Sequence, residues 1–187
     1  MTIATHLTVI RIGLIPIFII VFYLPFKWVH IASAIIFSLA AITDWLDGYL
    51  ARSMNQTSAF GAFLDPVADK LMIAVALVLL VQAHPTPWLA VPAAVIIGRE
   101  IAVSALREWM AEIGKSSKVA VSMTGKIKTG AQMTSIIMLL YHEPLWAIPI
   151  YPLGMVALYI AAGLTLWSMI KYLSKAWPSL HDRHAGK

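Results

Sequence analysis

The sequence predicts an all-α integral membrane protein, six transmembrane helices in one bundle, and three observations predict it. Sixty per cent of its residues are apolar and only 12% are charged, outside the range of ordinary soluble domains. The apolar residues gather in six runs, roughly 9–26, 29–50, 65–83, 88–108, 123–141 and 145–172. Each supplies about the 20 residues that cross hydrocarbon. The cations are also one-sided. With the N-terminus in the cytoplasm, all but Lys27, Lys70 and Arg99 of the 14 Lys and Arg fall on or near the inner face, as positive-inside topology requires. The length suits a single domain, residues 1–187.

Residues 1–8 are short and mostly small or polar. The first run lacks a small-residue cleavage site and the next follows at once, so it reads as a span rather than a signal peptide. Pro16 within it is tolerated in a membrane helix. Leu24-Pro-Phe-Lys-Trp28 is an outer turn, with Trp28 as interfacial anchor. Residues 29–43 carry no charge. The second run ends in Asp44-Trp-Leu-Asp47-Gly48, with Arg52 as its cap. Residues 53–60 are a polar inner connection. Asp65-Pro66 then reads as a helix start, because proline is preferred in a first turn. Residues 71–83 are again uncharged, and His84-Pro-Thr-Pro87 is the next outer turn.

The fourth run carries Arg99, flanked by apolar residues from Leu89 to Val103. An intramembrane Arg must pair or line a polar cavity. A substrate phosphate is favoured over an interhelical ion pair. A contact with Glu100 is not expected, since adjacent helical residues diverge. Residues 114–128 hold Lys115, Lys118, Lys126 and Lys128 among small residues. Lys126 and Lys128 begin the fifth run, a position suited to a phosphorylated substrate. Arg107 and Lys118 lie nearby. The loop is too short, and lacks the aromatics, for a nucleic-acid surface. Runs five and six read as packing and lipid-facing. Ala161, Ala162 and Gly163 read as a close helix contact, and residues 174–187 as a basic, mobile tail.

The chemistry sits in one stretch. Asp44, Asp47, Asp65 and Asp69 are four of the nine acidic residues. On helices, three- and four-residue spacings place each pair on one face. Gly48 removes a side chain where a group must approach closely, and Gly61 does the same at the next helix entry. Four carboxylates drawn together repel one another unless cations neutralise them. The chain has no Cys, and no His between His30 and His84. An all-oxygen set suits a hard cation, Mg²⁺ or Mn²⁺. Four carboxylates suffice for two such ions about 3.5–4 Å apart, the arrangement that serves phosphoryl chemistry. Arg52 carries a guanidinium able to hold phosphate oxygens bidentately.

The pattern D-x-x-D-G-x-x-A-R-x(8)-G-x-x-x-D-x-x-x-D, complete from Asp44 to Asp69, resembles the signature of the CDP-alcohol phosphotransferases. Leu7-Thr8-Val-Ile-Arg11 is similar to that family's entry to its first helix, although His6 stands where Asn is frequent. Arg11 then either snorkels to the interface or reaches a substrate phosphate. Arg99 to Met110, and Gly125-Lys-Ile-Lys-Thr-Gly-Ala-Gln132, resemble the branch that forms phosphatidylglycerophosphate. The resemblance implies CDP-diacylglycerol and sn-glycerol 3-phosphate as substrates, two metal ions on the four Asp, and Asp69 also as base. It places Gly48, Arg52, Ser58, Gly61 and Arg11 at the CDP-lipid. Arg99, Lys126, Lys128, Arg107 and Lys118 fall to the acceptor phosphate. It further implies a homodimer in a bacterial cytoplasmic membrane, with the active site on the cytoplasmic side among membrane lipids.

Three rivals stand beside this reading. A sister enzyme would use inositol phosphate, phosphatidylglycerol or serine; the cations on runs four and five disfavour serine. A divalent-cation carrier would place acids near the midplane and along several spans, whereas here they cluster at one edge. A non-enzymatic lipid-binding protein gives no reason for four clustered carboxylates.

Overall fold

The computed structural model describes residues 3–54, 59–112 and 123–181, and all of it is helical apart from short turns. Helix α1 spans Ile3–Phe22, α2 Val29–Met54, α3 Ala59–Ala83, α4 Pro87–Glu112, α5 Met123–Tyr141 and α6 Ile150–His181. Short connections at 23–28, 84–86 and 142–149 fold successive helices back on each other. The start of α1, the ends of α2 and α4 and the start of α3 therefore meet at one end, with the four-Asp stretch.

The helices match the apolar runs, with three corrections. Pro66 does not start α3; it lies inside that helix, which begins at Ala59. A proline inside a helix leaves one carbonyl without its usual partner. The sixth helix starts at Ile150, not 145, because Leu145 and Ile148 close a small bridge that turns the chain first. It also runs to His181, into the stretch read as a tail. Residues 182–187 lie outside the described residues.

Among the described residues, Pro66–Ala83, Pro87–Glu112 and Ile150–Ser174 are long and apolar enough to cross a membrane. Thr8–Phe22 and Val29–Asp44 are shorter apolar stretches. Many large apolar side chains face outward, among them Ile20, Val78, Val91, Ile101, Val156 and Ile170. A surface of that kind belongs in lipid.

The core draws on all six helices, around Phe18, Phe37, Leu77, Leu80, Leu89, Ile96, Ile136, Leu139 and Leu158. Helices α5 and α6 pack at Gly154, where an added Cβ would lie 3.1 Å from both Leu139 Cγ and Met138 Cβ. Ser135 donates a hydrogen bond to the Gly154 carbonyl at 3.1 Å. The small-residue contact expected at Ala161–Gly163 is only partly present. Ala161 and Ala162 are buried, but Gly163 meets nothing within 4 Å. Helix α4 packs on α3 and α6, and among the described residues its backbone makes no contact with α5. The gap between α4 and α5 becomes the site.

Candidate active site

A cavity of about 240 Å³ opens between α3, α4, α5 and α6. Asp69 and Lys70 reach it from α3, Arg99, Glu100 and Arg107 from α4, Lys128 and Gln132 from α5, and Tyr172 from α6. Polar residues that interrupt the apolar runs of α3, α4 and α5 supply the charge, and α6 adds the Tyr172 hydroxyl and ring. A polar chamber so deep in an apolar bundle is costly unless its groups pair, and most do.

Glu100 is the hub. Lys128 donates to Glu100 Oε1 across the gap between α5 and α4. Arg99 donates to the same oxygen at 3.1 Å. This corrects the expectation that Arg99 and Glu100 do not meet. Their Cβ atoms diverge, but the long guanidinium curls back along α4 toward the shared carboxylate. The other Arg99 terminal nitrogen donates to Ser168 at 2.9 Å. Its Nε is buried with no hydrogen-bond partner. Arg107 donates to the Tyr172 hydroxyl at 3.3 Å. The Tyr172 ring also lies 5.7 Å from the Arg99 guanidinium and 5.5 Å from that of Arg107, within cation–π range. Lys70 donates to Ser104. Arg99, Arg107 and Lys128 thus border one chamber, together with Asp69.

Asp69 also borders a small pocket on the other side of α3, beside Arg11 and Met133. Arg11 donates to Asp44 at 2.8 Å and is 1% exposed, against 38% for Asp44. It does not snorkel; it is buried inside the bundle as the counter-ion of the acidic cluster. Asp44 and Asp69 lie near enough for their charges to interact, and Arg11 acts on both. The cation that Asp44 and Asp69 require is therefore supplied in part by the chain itself.

The structure thus brings together Asp44, Asp69 and Arg11, and separately Asp69, Arg99, Arg107 and Lys128. The side chains of Asp47, Arg52, Asp65 and Lys126, the surroundings of Gly48 and Gly61, and residues Ser58 and Lys118, lie outside the described residues. Among the described residues no three acidic or His side chains are placed to hold a metal ion together. Asp44 and Asp69 fit a hard cation in kind: both offer only oxygen, one is partly exposed and the other faces an open chamber.

Sequence reasoning missed Glu100, Lys70, Gln132 and Tyr172 as site residues. Glu100 carried a signal, being a second charge in the same apolar flank as Arg99. Lys70 carried one too, being a cation next to Asp69 in the sequence. Tyr172 gave none, since a tyrosine near a helix end is ordinary in a membrane protein.

The profile of the CDP-alcohol phosphatidyltransferase family matches residues 1–167. A Pseudomonas fluorescens protein named CDP-diacylglycerol–glycerol-3-phosphate 3-phosphatidyltransferase is 58% identical over 181 residues, covering 96% of this chain and 92% of its own length. Proteins of the same name from Salmonella typhimurium and Shigella flexneri are 54% and 52% identical, each over 97% of this chain and 98% of their own.

Proposed function

The chain belongs to the CDP-alcohol phosphatidyltransferase family, and from that premise we propose that it transfers the phosphatidyl group of CDP-diacylglycerol to sn-glycerol 3-phosphate, giving phosphatidylglycerophosphate and CMP. The observation that carries the choice of acceptor is the chamber in which Asp69 faces Arg99, Arg107 and Lys128. Counting Lys70 and Glu100, four cations face two carboxylates, and that excess of positive charge beside Asp69 suits a substrate with a dianionic phosphate and a hydroxyl to be deprotonated.

In this reading the acceptor's phosphate is held by Arg99, Lys128 and Arg107, and Lys126 and Lys118 are assigned to the same phosphate. Arg99 Nε adds a buried donor without a partner. Asp69 accepts the proton of the acceptor's terminal hydroxyl. That oxygen bonds to the lipid-bearing phosphorus, the diphosphate P–O bond breaks, and CMP leaves. Arg52, Ser58, Gly48, Gly61 and Arg11 serve the nucleotide side. Asp44, Asp47, Asp65 and Asp69 would hold two Mg²⁺ or Mn²⁺ ions, which when bound supply neutralisation of the diphosphate and polarise the bond to be broken. Six spans, a homodimer, and a bacterial cytoplasmic membrane with the chamber on its cytoplasmic side complete the proposal. A soluble cytoplasmic acceptor would then enter directly.

The test is CMP release by the purified protein in lipid, with CDP-diacylglycerol, Mg²⁺ and each acceptor in turn. Release is expected with sn-glycerol 3-phosphate, and not after chelation or in Asp69→Asn. Release with serine but not glycerol 3-phosphate would reassign the enzyme to a sister reaction.

A further inference from the structure

Gln132 is buried to 1% exposure and lines the chamber. Its amide nitrogen has no hydrogen-bond partner. Beside it the chamber's charged groups are engaged: Lys128 and Arg99 with Glu100, Arg107 with Tyr172, and Lys70 with Ser104. Gln132 is the neutral polar group of the cavity wall left with an unused buried donor. Folding does not bury such a donor for packing, since Leu or Met would fill the same volume without the loss of hydration. An unspent donor on a residue that lines a cavity is within a side-chain rotation of a ligand oxygen there.

The chemistry of that oxygen follows from its neighbours. A phosphate is drawn to Arg99, Arg107 and Lys128, whose charge-assisted bonds are the stronger ones. What remains for an uncharged amide is an uncharged hydroxyl. Gln132 follows Lys128 by one turn, about 6 Å along the helix axis, a spacing on the scale of a three-carbon phosphate. An ammonium group, as in serine, offers no lone pair to the amide's N–H.

We propose that Gln132 is a specificity-determining residue that hydrogen-bonds the acceptor's second, non-attacking hydroxyl. The proposal rests on the chamber being the acceptor site. Glycerol 3-phosphate carries that hydroxyl on its middle carbon. 3-Hydroxypropyl phosphate has the same phosphate and the same attacking hydroxyl but lacks the middle one.

The experiment compares kcat/KM for the two acceptors in the wild type and in Gln132→Leu, with the unfolding midpoint of each protein. The wild type is expected to prefer glycerol 3-phosphate by about 10²-fold or more, because a site built to bond a hydroxyl leaves a buried group unpaired with the analogue. In Gln132→Leu the preference collapses to within a few-fold, through loss on glycerol 3-phosphate alone. The KM for CDP-diacylglycerol stays unchanged. The midpoint does not fall, because an unpaired polar group has been exchanged for an apolar one. Gln132→Met, unbranched and of similar volume, gives the same comparison if the Leu variant does not fold. An unchanged preference in a folded variant, or a drop in both acceptors alike, overturns the role of Gln132 while leaving the acceptor site intact. A wild type that uses neither phosphate overturns the site and the proposal together.

Discussion

Arg11 and Glu100 are opposite charges playing the same part, each holding a cluster of the other sign in place. Arg11 is almost wholly buried against Asp44, which is 38% exposed. Removing one partner of a fully buried pair costs about 3–5 kcal/mol, and exposed pairs contribute about 1 kcal/mol or less. Water around Asp44 places this pair between those limits. Arg11→Gln is expected to lower stability by about 1–3 kcal/mol in metal-free buffer, measured by denaturant or thermal unfolding; no change would show the pair to be inert. Glu100 is the sharper case, because Lys128 and Arg99 share it and both are buried. Its carboxylate occupies the cations that the acceptor phosphate is to meet. Glu100→Gln should therefore destabilise the empty protein, and sn-glycerol 3-phosphate should raise the variant's unfolding midpoint more than the wild type's. Equal shifts in both would mean that phosphate and carboxylate do not compete for the same cations. Neither pairing was legible in the sequence. The residues stand 33 and 28 positions apart, and the 3.6-residue period ranks faces within a helix but says nothing about which helices meet.

At the scale of helices, the end opposite the acidic cluster is tied by rings. His142, just past α5, takes a left-handed backbone conformation at φ 58°, as a residue closing a helix commonly does. Its ring stacks at 4.7 Å on His84 and 5.4 Å on His30, and meets Tyr151 edge-on at 4.7 Å. These rings come from α2, the turn after α3, the end of α5 and the start of α6. Burial, and then the neighbouring His142 and His30, push the His84 imidazole below its ordinary 6.5. Folding therefore favours the neutral ring. The associated stability is fully present above pH 6.5 and is lost as the pH falls below it. The unfolding midpoint should decline from pH 7.5 to 5.5, and His84→Gln should flatten that decline; parallel slopes would remove the cluster from the account. The α5–α6 contact offers a second check. The atoms nearest Gly154 are a Cβ and a Cγ, too close to the backbone to swing aside, so Gly154→Val should cost about 1–3 kcal/mol by overpacking. Helix ends were harder to read than helix interiors. Pro66 suggested a first turn, yet α3 begins seven residues earlier at Ala59, because membrane helices tolerate an internal proline.

For the molecule as a whole, apolar surface and charge are kept apart along the bundle, and that separation is why so much could be read from the chain. Long uncharged runs give helices, interruptions in them give the polar level, and of the four Asp at fixed spacings Asp44 and Asp69 come together at Arg11. What the pattern could not give is closure: that α4 stands off α5, that the gap is spanned by Lys128 and Glu100, and that Arg11 turns inward. Those depend on long side chains choosing partners in three dimensions. The inward Arg11 bears on the metal. One carboxylate of the cluster is already paired, so the protein folds with residual repulsion that a divalent cation can relieve. Binding to the folded state alone stabilises by mass action, by about 2.7 kcal/mol when the ligand stands at a hundred times its dissociation constant. Mg²⁺ should therefore raise the unfolding midpoint of the wild type, chelation should reverse the gain, and Asp69→Asn should diminish it while leaving the metal-free midpoint level or higher, since a like charge has gone. A midpoint indifferent to Mg²⁺ in the wild type would mean that these acids do not hold the ion, whatever the activity requires.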